Sequence, residues 1–198
     1  TMLVNGSYNT IDKEKPTIDF DLDISEFDIK KSYNTFNAME KMAPIMESCN
    51  GAFSTHFTMV SDLSQNMDPV YETMTGGGGF QTKEVMIKDS KTIDKMATLL
   101  KNDKYKELIL KDINATFEFI EGRVHVQPFD VVIGNSKANI HGSNGFDQTL
   151  DYIMDMVVPT SEFGGGAAAA MGQMAALINS TGANVSVGDA VNVAVKVQ

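Results

Sequence analysis

The chain has 198 residues, of which 42% are hydrophobic and 21% are charged, a composition typical of a folded domain with a sizeable core. Its net charge of −10 argues against nucleic acid and anionic lipid head groups as partners, because both need a basic surface. The one cysteine, Cys49, excludes an intrachain disulfide, and the absence of a run of about 18 apolar residues predicts no transmembrane helix.

The N-terminal part predicts a lead-in followed by an edge strand. Residues 1–16 are polar and predict a short strand or a loose lead-in. Apolar and acidic residues then alternate over Ile18–Ile24, as in a half-buried strand. An EF-hand loop from Asp19 would need glycine and glutamate where the chain has Ile24 and Lys30. We therefore interpret Asp19, Asp21 and Asp23 as a solvated face whose charges discourage edge pairing.

Three stretches have the spacing of amphipathic helices. The first, over 29–46, carries apolar residues at three- and four-residue steps, and Pro44 should kink or end it. Its stripe consists of Ile29, Tyr33, Phe36, Met39, Ala43 and Met46. The second covers 93–100, with Asp89–Ser90 as its cap. The third is the alanine-rich stretch 167–178, which follows a glycine hinge at 164–166.

The glycine run at 76–79 raises the possibility of a phosphate-binding loop. A P-loop needs Gly-Lys-Ser/Thr after its spacer, and the chain has no such triplet. A dinucleotide-binding fingerprint would need glycine at position 81, which is Gln81. The run therefore predicts a strand without side chains over part of its length, bent or closely approached by another backbone.

The stretch from Ile113 to Pro159 predicts a meander of at least four antiparallel strands. Its apolar residues recur at every second position, and turn signals at Glu121–Gly122, Gly134–Ser136 and Ser143–Gly145 separate the strands. A last hairpin is expected to turn at Gly188–Asp189.

These elements predict an α+β fold: an extensive curved antiparallel sheet, a meander, with about three amphipathic helices packed on it. We expect a lead-in over 1–16 and an α+β domain over 17–163. Residues 164–198 should then complete the same domain with the hinge, the alanine-rich helix and the final hairpin.

No motif for catalysis or for a cofactor is visible. His56, His125 and His141 lie in separate predicted strands, and no spacing of histidine and cysteine supports a metal site. Cys49 has no nucleophile motif around it. The only argument for a hydrolase that uses paired carboxylates is that aspartate and glutamate are abundant in the chain. We expect no enzyme, no catalytic or metal-binding residues and no cofactor.

The segment from about Gly51 to Phe163 resembles the C-terminal region of the AsmA family of Gram-negative envelope proteins. Its richness in methionine and asparagine is similar to that of family members from Bacteroidetes. The likeness is carried by the strings FEFIEGRV at 117–124 and GFDQTLDY at 145–152, and by the segments around them. The resemblance implies a periplasmic protein anchored by an N-terminal helix that this chain lacks. It also implies a relation to bridge-like lipid-transfer proteins, whose curved sheet shields acyl chains.

The expected function is therefore that of a non-enzymatic periplasmic module for outer-membrane or envelope biogenesis, which shields or transfers lipid along an apolar sheet face. The expected partners are phospholipid acyl chains, upstream domains of the same protein and other envelope proteins, with membrane contact only through the missing anchor. The candidate lining residues are Phe117, Phe119, Val124, Val126, Val131, Ile133 and Ile140. The alternative is a protein–protein interaction or capping domain that binds no lipid and pairs through the edge at Ile18–Ile24.

Overall fold

A computed structural model describes residues 1–12, 14–163, 166, 169 and 190–197 of the chain. Within the described residues, nine strands form one antiparallel sheet, in which each strand pairs with its neighbours in the sequence. The strands are Met2–Asn9 (β1), Thr17–Asp28 (β2), Cys49–Asp62 (β3), Thr75–Ile87 (β4), Leu108–Ile120 (β5), Arg123–Ile133 (β6), Ser136–Gly145 (β7), Leu150–Pro159 (β8) and Ala190–Val197 (β9). The expectation of an antiparallel sheet is therefore confirmed.

The predicted α+β class, with about three amphipathic helices packed on the sheet, is wrong. The structure is 60% strand, and its described helices are short. They are Ile29–Thr35 (α1), Asn37–Met42 (α2) and Lys91–Leu100 (α3), together with 3₁₀ turns at Pro44–Ser48, Tyr71–Thr73, Asp103–Lys106 and Thr160–Glu162. The described part of the chain is thus one large sheet with small helical covers.

The predicted helix over 29–46 is broken twice. Phe36 takes extended backbone angles (φ −109°, ψ 103°), which separate α1 from α2, and Pro44 begins a 3₁₀ turn after α2. The spacing of apolar residues persists through both breaks, so it does not reveal them. The N-cap of α1 is Asp28, whose side chain accepts a hydrogen bond of 2.7 Å from the backbone N–H of Lys31.

The predicted edge strand at Ile18–Ile24 is also wrong. This stretch belongs to β2, which pairs with β1 on one side and β3 on the other. The edge is β1, within the predicted lead-in, and all eight of its residues are exposed. Burial on one face gives a strand its alternating pattern, and β1 lacks that burial.

The glycine run behaves as predicted. It forms the first half of β4, and a Cβ atom at Gly76, Gly77 or Gly78 would collide with the backbone of β3 or β5. A Cβ atom at Gly78 would also lie 2.5 Å from that of Phe57. At Gly79, in contrast, the nearest atom would be 3.9 Å away. The first three glycines therefore allow close approach of neighbouring strands.

The predicted meander is confirmed as β5 to β8. Glu121 and Gly122 both have positive φ at the first turn, and Pro128 lies in a register shift between Val126 and Phe129. The third turn follows Gly145, slightly later than predicted. Residues of the expected hinge, of helix 167–178 and of the turn at Gly188–Asp189 lie outside the described residues, except positions 166 and 169.

The core that the described residues form consists of two buried clusters on one face of the sheet. Cluster 1 joins residues of α1 and α3, such as Ile29 and Ile93, to buried residues of seven strands from β2 to β8. Cluster 2 is smaller and consists of Met59, Met74, Phe119, Val124 and Phe146. We call this side of the sheet the apolar face and the other side the polar face.

Candidate functional site

One row of positions crosses the middle of the apolar face from β1 to β8. Directly paired residues of antiparallel strands point to the same side of a sheet. The register links one residue of each of these strands into what we call the central row: Val4, Leu22, Phe57, Gly78, Phe117, Val126, Gly142 and Tyr152. With a spacing of about 4.8 Å between neighbouring strands, the row is about 34 Å long.

The central row is apolar but incompletely covered. Leu22, Phe57, Phe117 and Val126 are half-buried, and Val4 at the edge is 50% exposed. Neighbouring strands approach both glycines of the row closely: a Cβ atom at Gly78 would meet Phe57, and one at Gly142 would meet Tyr152. The row is therefore a mostly apolar and half-buried line on the apolar face.

All seven residues predicted to line a lipid groove lie on the apolar face, but their surroundings differ. Phe119 and Val124 are buried in cluster 2, and Val131 and Ile133 in cluster 1. The other three are half-buried: Phe117, Val126 and Ile140. Phe117 and Val126 belong to the central row, and Ile140 packs against cluster 1. The four buried residues hold the core together, so only the three half-buried ones are placed to meet a ligand.

Cluster 2 closes one side of the central row with stacked aromatic rings. The ring centroids of Tyr71 and Phe146 lie 4.5 Å apart, and Phe119 contacts both Phe57 and Phe146, at 5.8 and 6.3 Å. Phe57 and Phe117 of the central row pack against this cluster. The two phenylalanines of the central row are therefore held in place by cluster 2.

Helix α2 crosses the apolar face between the two clusters. Its Met39 packs against cluster 1 and its Met42 against cluster 2. Asn144 of β7 donates hydrogen bonds of 3.0 and 3.1 Å to the backbone carbonyls of Lys41 and Met42. None of the six residues of α2 is buried. Gln148 also donates a hydrogen bond of 3.4 Å to Glu40, and Nζ of Lys41 lies 4.8 Å from the centre of the Tyr71 ring. The helix is therefore a cover held by a few polar contacts and by half-buried methionines.

Asn144 is the polar anchor of this arrangement. It is 2% exposed, and its side-chain oxygen accepts a hydrogen bond of 2.9 Å from the hydroxyl of Tyr152. Both polar ends of its amide are thus satisfied, as a buried amide requires. Burial raises the pKa of Tyr152 to about 12, so the phenol stays neutral and donates this bond at physiological pH.

Cys49 is buried in cluster 1, and its Sγ lies 3.3 Å from the carbonyl oxygen of Ile45. Burial raises the pKa of the thiol to about 11. Because the thiolate is the reactive species, this cysteine is a poor nucleophile at neutral pH. It acts as a small apolar core residue.

The polar face carries the titratable clusters of the sheet. His56 on β3 lies opposite Asp23 on β2, and its Nδ1 atom is 3.1 Å from Oδ1 of Asp23 and 3.7 Å from Oδ1 of Asp21. All three side chains are about half exposed. The sequence expectation of no metal-ligand set missed this group, because the register between two distant strands brings it together. The only sequence signal was an Asp-x-Asp pair on one strand and a histidine on the next.

The glycine run leaves an open trough on the polar face next to this group. A cavity of about 420 Å³ lies over Gly76–Gly78, with Thr58 on one side and Thr116 and Glu118 on the other. The trough exists because β4 carries no side chains there, while β3 and β5 do. Its lining also includes Gln127 and Phe117, so it is mixed polar and apolar.

No helix among the described residues is long and apolar enough to cross a membrane. Comparisons of the chain with models of protein families, with curated proteins and with solved structures found no match.

Proposed function

We propose that this chain is a non-enzymatic lipid-handling module that shields acyl chains along the central row. The observation that carries the proposal is the row itself, a line of mostly apolar residues paired in register from β1 to β8. Its middle is half-buried, and α2, which has no buried residue, packs on the same face of the sheet. A half-exposed apolar row of this length marks a binding surface, and an acyl chain is a ligand of matching chemistry.

The energetics favour a chain lying across the strands. Each methylene group that leaves water contributes about 0.8 kcal/mol, and a row of about 34 Å has room for an extended acyl chain. In this proposal, α2 moves aside to admit the chain. Its contacts are compatible with that movement, because flexible methionine side chains repack readily against new apolar surfaces.

The cellular setting is part of the same proposal. The resemblance to the C-terminal region of the AsmA family supports a periplasmic position in a Gram-negative envelope, in a protein anchored to a membrane. The net charge of −10 disfavours docking on anionic head groups. Acyl chains, rather than head groups, are therefore the part of the lipid that this sheet recognises.

The test is lipid extraction from matched variants. Val126→Asp places a carboxylate in the central row, and Val132→Asp places one on the polar face of the same strand, where Val132 is 60% exposed. Each chain is purified from a Gram-negative host, and its organic extract is analysed by mass spectrometry. We expect stoichiometric phospholipid with the unchanged chain and with Val132→Asp, and loss of most of it with Val126→Asp. Urea denaturation verifies that Val126→Asp is folded.

A clean extract from the unchanged chain, even after incubation with phospholipid vesicles, would contradict the proposal. The apolar face would then be closed by the chain's own covers. The protein would be better explained by the second candidate function, an interaction or capping domain.

That second candidate is favoured by the character of β1. Its outer edge is unpaired among the described residues, and its eight residues include neither a charge nor a proline. Natural edge strands usually carry such residues because they prevent unwanted pairing. Met2, Val4 and Tyr8 are 41–50% exposed. An added strand from a partner would extend the ladder and continue the central row.

Strand addition can be tested with one proline. Thr1 and Ser25 exchange both backbone hydrogen bonds, so the alternation of an antiparallel ladder directs the N–H of Val4 outward. Val4→Pro removes that outward donor and leaves the bonds between β1 and β2 intact. Val4→Thr is the matched control. If captured envelope partners are the same for both variants, pairing through this edge is excluded.

A further inference from the structure

The polar face holds a group of three metal-ligand side chains on the two strands β2 and β3. Asp21 and Asp23 lie two residues apart, so both point to this face, and His56 stands directly opposite Asp23. Their donor atoms all lie within 4.8 Å of one another. Both strands are paired on both sides. The backbone that carries the three side chains is therefore fixed, as a ligand set requires.

The spacing of the donors agrees with one small ion. Zinc binds imidazole nitrogen and carboxylate oxygen at about 2.0–2.2 Å, which places neighbouring ligands of a tetrahedral site about 3.3–3.6 Å apart. The two distances from the histidine nitrogen, 3.1 and 3.7 Å, lie on either side of that range.

The surroundings leave the group accessible. On β4, the residue paired with His56 is Gly79, and even a Cβ atom there would find no neighbour within 3.8 Å. Among the described residues, the ion pairs of Asp21 and Asp23 are with His56 and with no lysine or arginine. The net charge of −10 also draws cations toward the protein.

We propose that Asp21, Asp23 and His56 bind a divalent transition metal ion of the zinc class, with a fourth position open to solvent. The mixed nitrogen and oxygen donors select such an ion over calcium and magnesium, which prefer six or more oxygen ligands. The bound ion links β2 to β3 on the face opposite the central row. This site is independent of the proposed lipid function, because no residue of the central row takes part.

The test is calorimetric titration of the full chain with zinc chloride, with three single variants. We expect saturable binding at one site, and a loss of affinity of about tenfold or more in His56→Asn and in Asp21→Asn. Asp19→Asn is the matched control: it removes one charge from the same face of β2 without touching the group. It should bind zinc as the unchanged chain does.

A second readout reports on the ligands themselves. Cobalt(II) in a tetrahedral site absorbs visible light strongly, so titration of the unchanged chain with cobalt should produce that absorption and His56→Asn should not. Two results would overturn the proposal. One is the absence of saturable binding by the unchanged chain. The other is an equal effect of Asp19→Asn and Asp21→Asn, which would mean that cations gather near the acidic strand without a defined site.

Discussion

Two adjacent glycines of β4 should respond in opposite ways to the same substitution. Gly78 and Gly79 are both in extended backbone without positive φ, so alanine is acceptable to the backbone at either position. They differ in what a Cβ atom meets. At Gly78 it would lie 2.5 Å from the Cβ atom of Phe57 and would also collide with the carbonyl of His56, whereas at Gly79 the nearest atom is 3.9 Å away.

The magnitudes follow from those contacts. Replacing glycine by alanine at a compatible position stabilises a protein by about 0.4–1 kcal/mol, because the unfolded chain loses freedom. That gain applies equally to both variants and cancels in their difference. Overpacking of a tight site costs about 1–3 kcal/mol. We therefore expect Gly79→Ala to be slightly more stable than the unchanged chain, and Gly78→Ala to be less stable than Gly79→Ala by about 1–3 kcal/mol.

Urea denaturation followed by circular dichroism measures this difference directly, as a shift of the midpoint at constant slope. A thermal melt should separate the two variants by several degrees, since about 1 kcal/mol corresponds to about 2–4 °C in a chain of this size. Equal stability of Gly78→Ala and Gly79→Ala would refute the reasoning, because the close approach of β3 to the glycine run would then not exist.

Three further predictions concern the core, the titration of buried groups and α2. Phe119→Ala should cost about 3–5 kcal/mol in urea denaturation, whereas Ile120→Ala, on the exposed side of the same strand, should stay within about 0.5 kcal/mol. Burial raises the pKa of Cys49 to about 11 from 9.0 and that of Tyr152 to about 12 from 10.0. The folded state thus keeps protons that the unfolded chain releases. The contribution of these two groups to the free energy of unfolding should therefore be fully present below about pH 9 and be lost as the pH rises from there to about 12. Tyr152→Phe should flatten the upper part of that fall, and an unchanged curve would contradict the assignment. Asn144→Ala removes the donor to the last carbonyls of α2, so amide hydrogen exchange there should rise by about tenfold, while an unchanged rate would show that other contacts hold the helix.

The strands of the sheet could be predicted where one face is buried, because burial imposes alternation. Phe117, Phe119, Val124 and Val126 alternate with polar residues for that reason, and the strands that carry them were predicted. The edge strand β1 escaped firm prediction because nothing covers it. The run of Asp19, Asp21 and Asp23 then made β2 resemble an edge.

The helices were the main error, and the reason is physical. Apolar residues at three- and four-residue steps continue from Ile29 to Met46, but backbone angles decide whether the helix continues, and Phe36 interrupts it. Sequence spacing also does not reveal which residues of different strands the register brings into contact. The contact of His56 with Asp23 joins residues that are 33 positions apart. The hydrogen bonds from Asn144 to α2 join residues that are more than 100 positions apart.

The proposal that the central row shields acyl chains is tested most directly by photo-crosslinking. The purified chain is incubated with phospholipid that carries a diazirine on an acyl chain, illuminated and digested, and the modified residues are located by mass spectrometry. The account predicts adducts at Leu22, Phe57, Phe117 and Val126, and none at Val132 or Ile109 on the polar face. Adducts divided evenly between the two faces, or confined to the polar face, would contradict it.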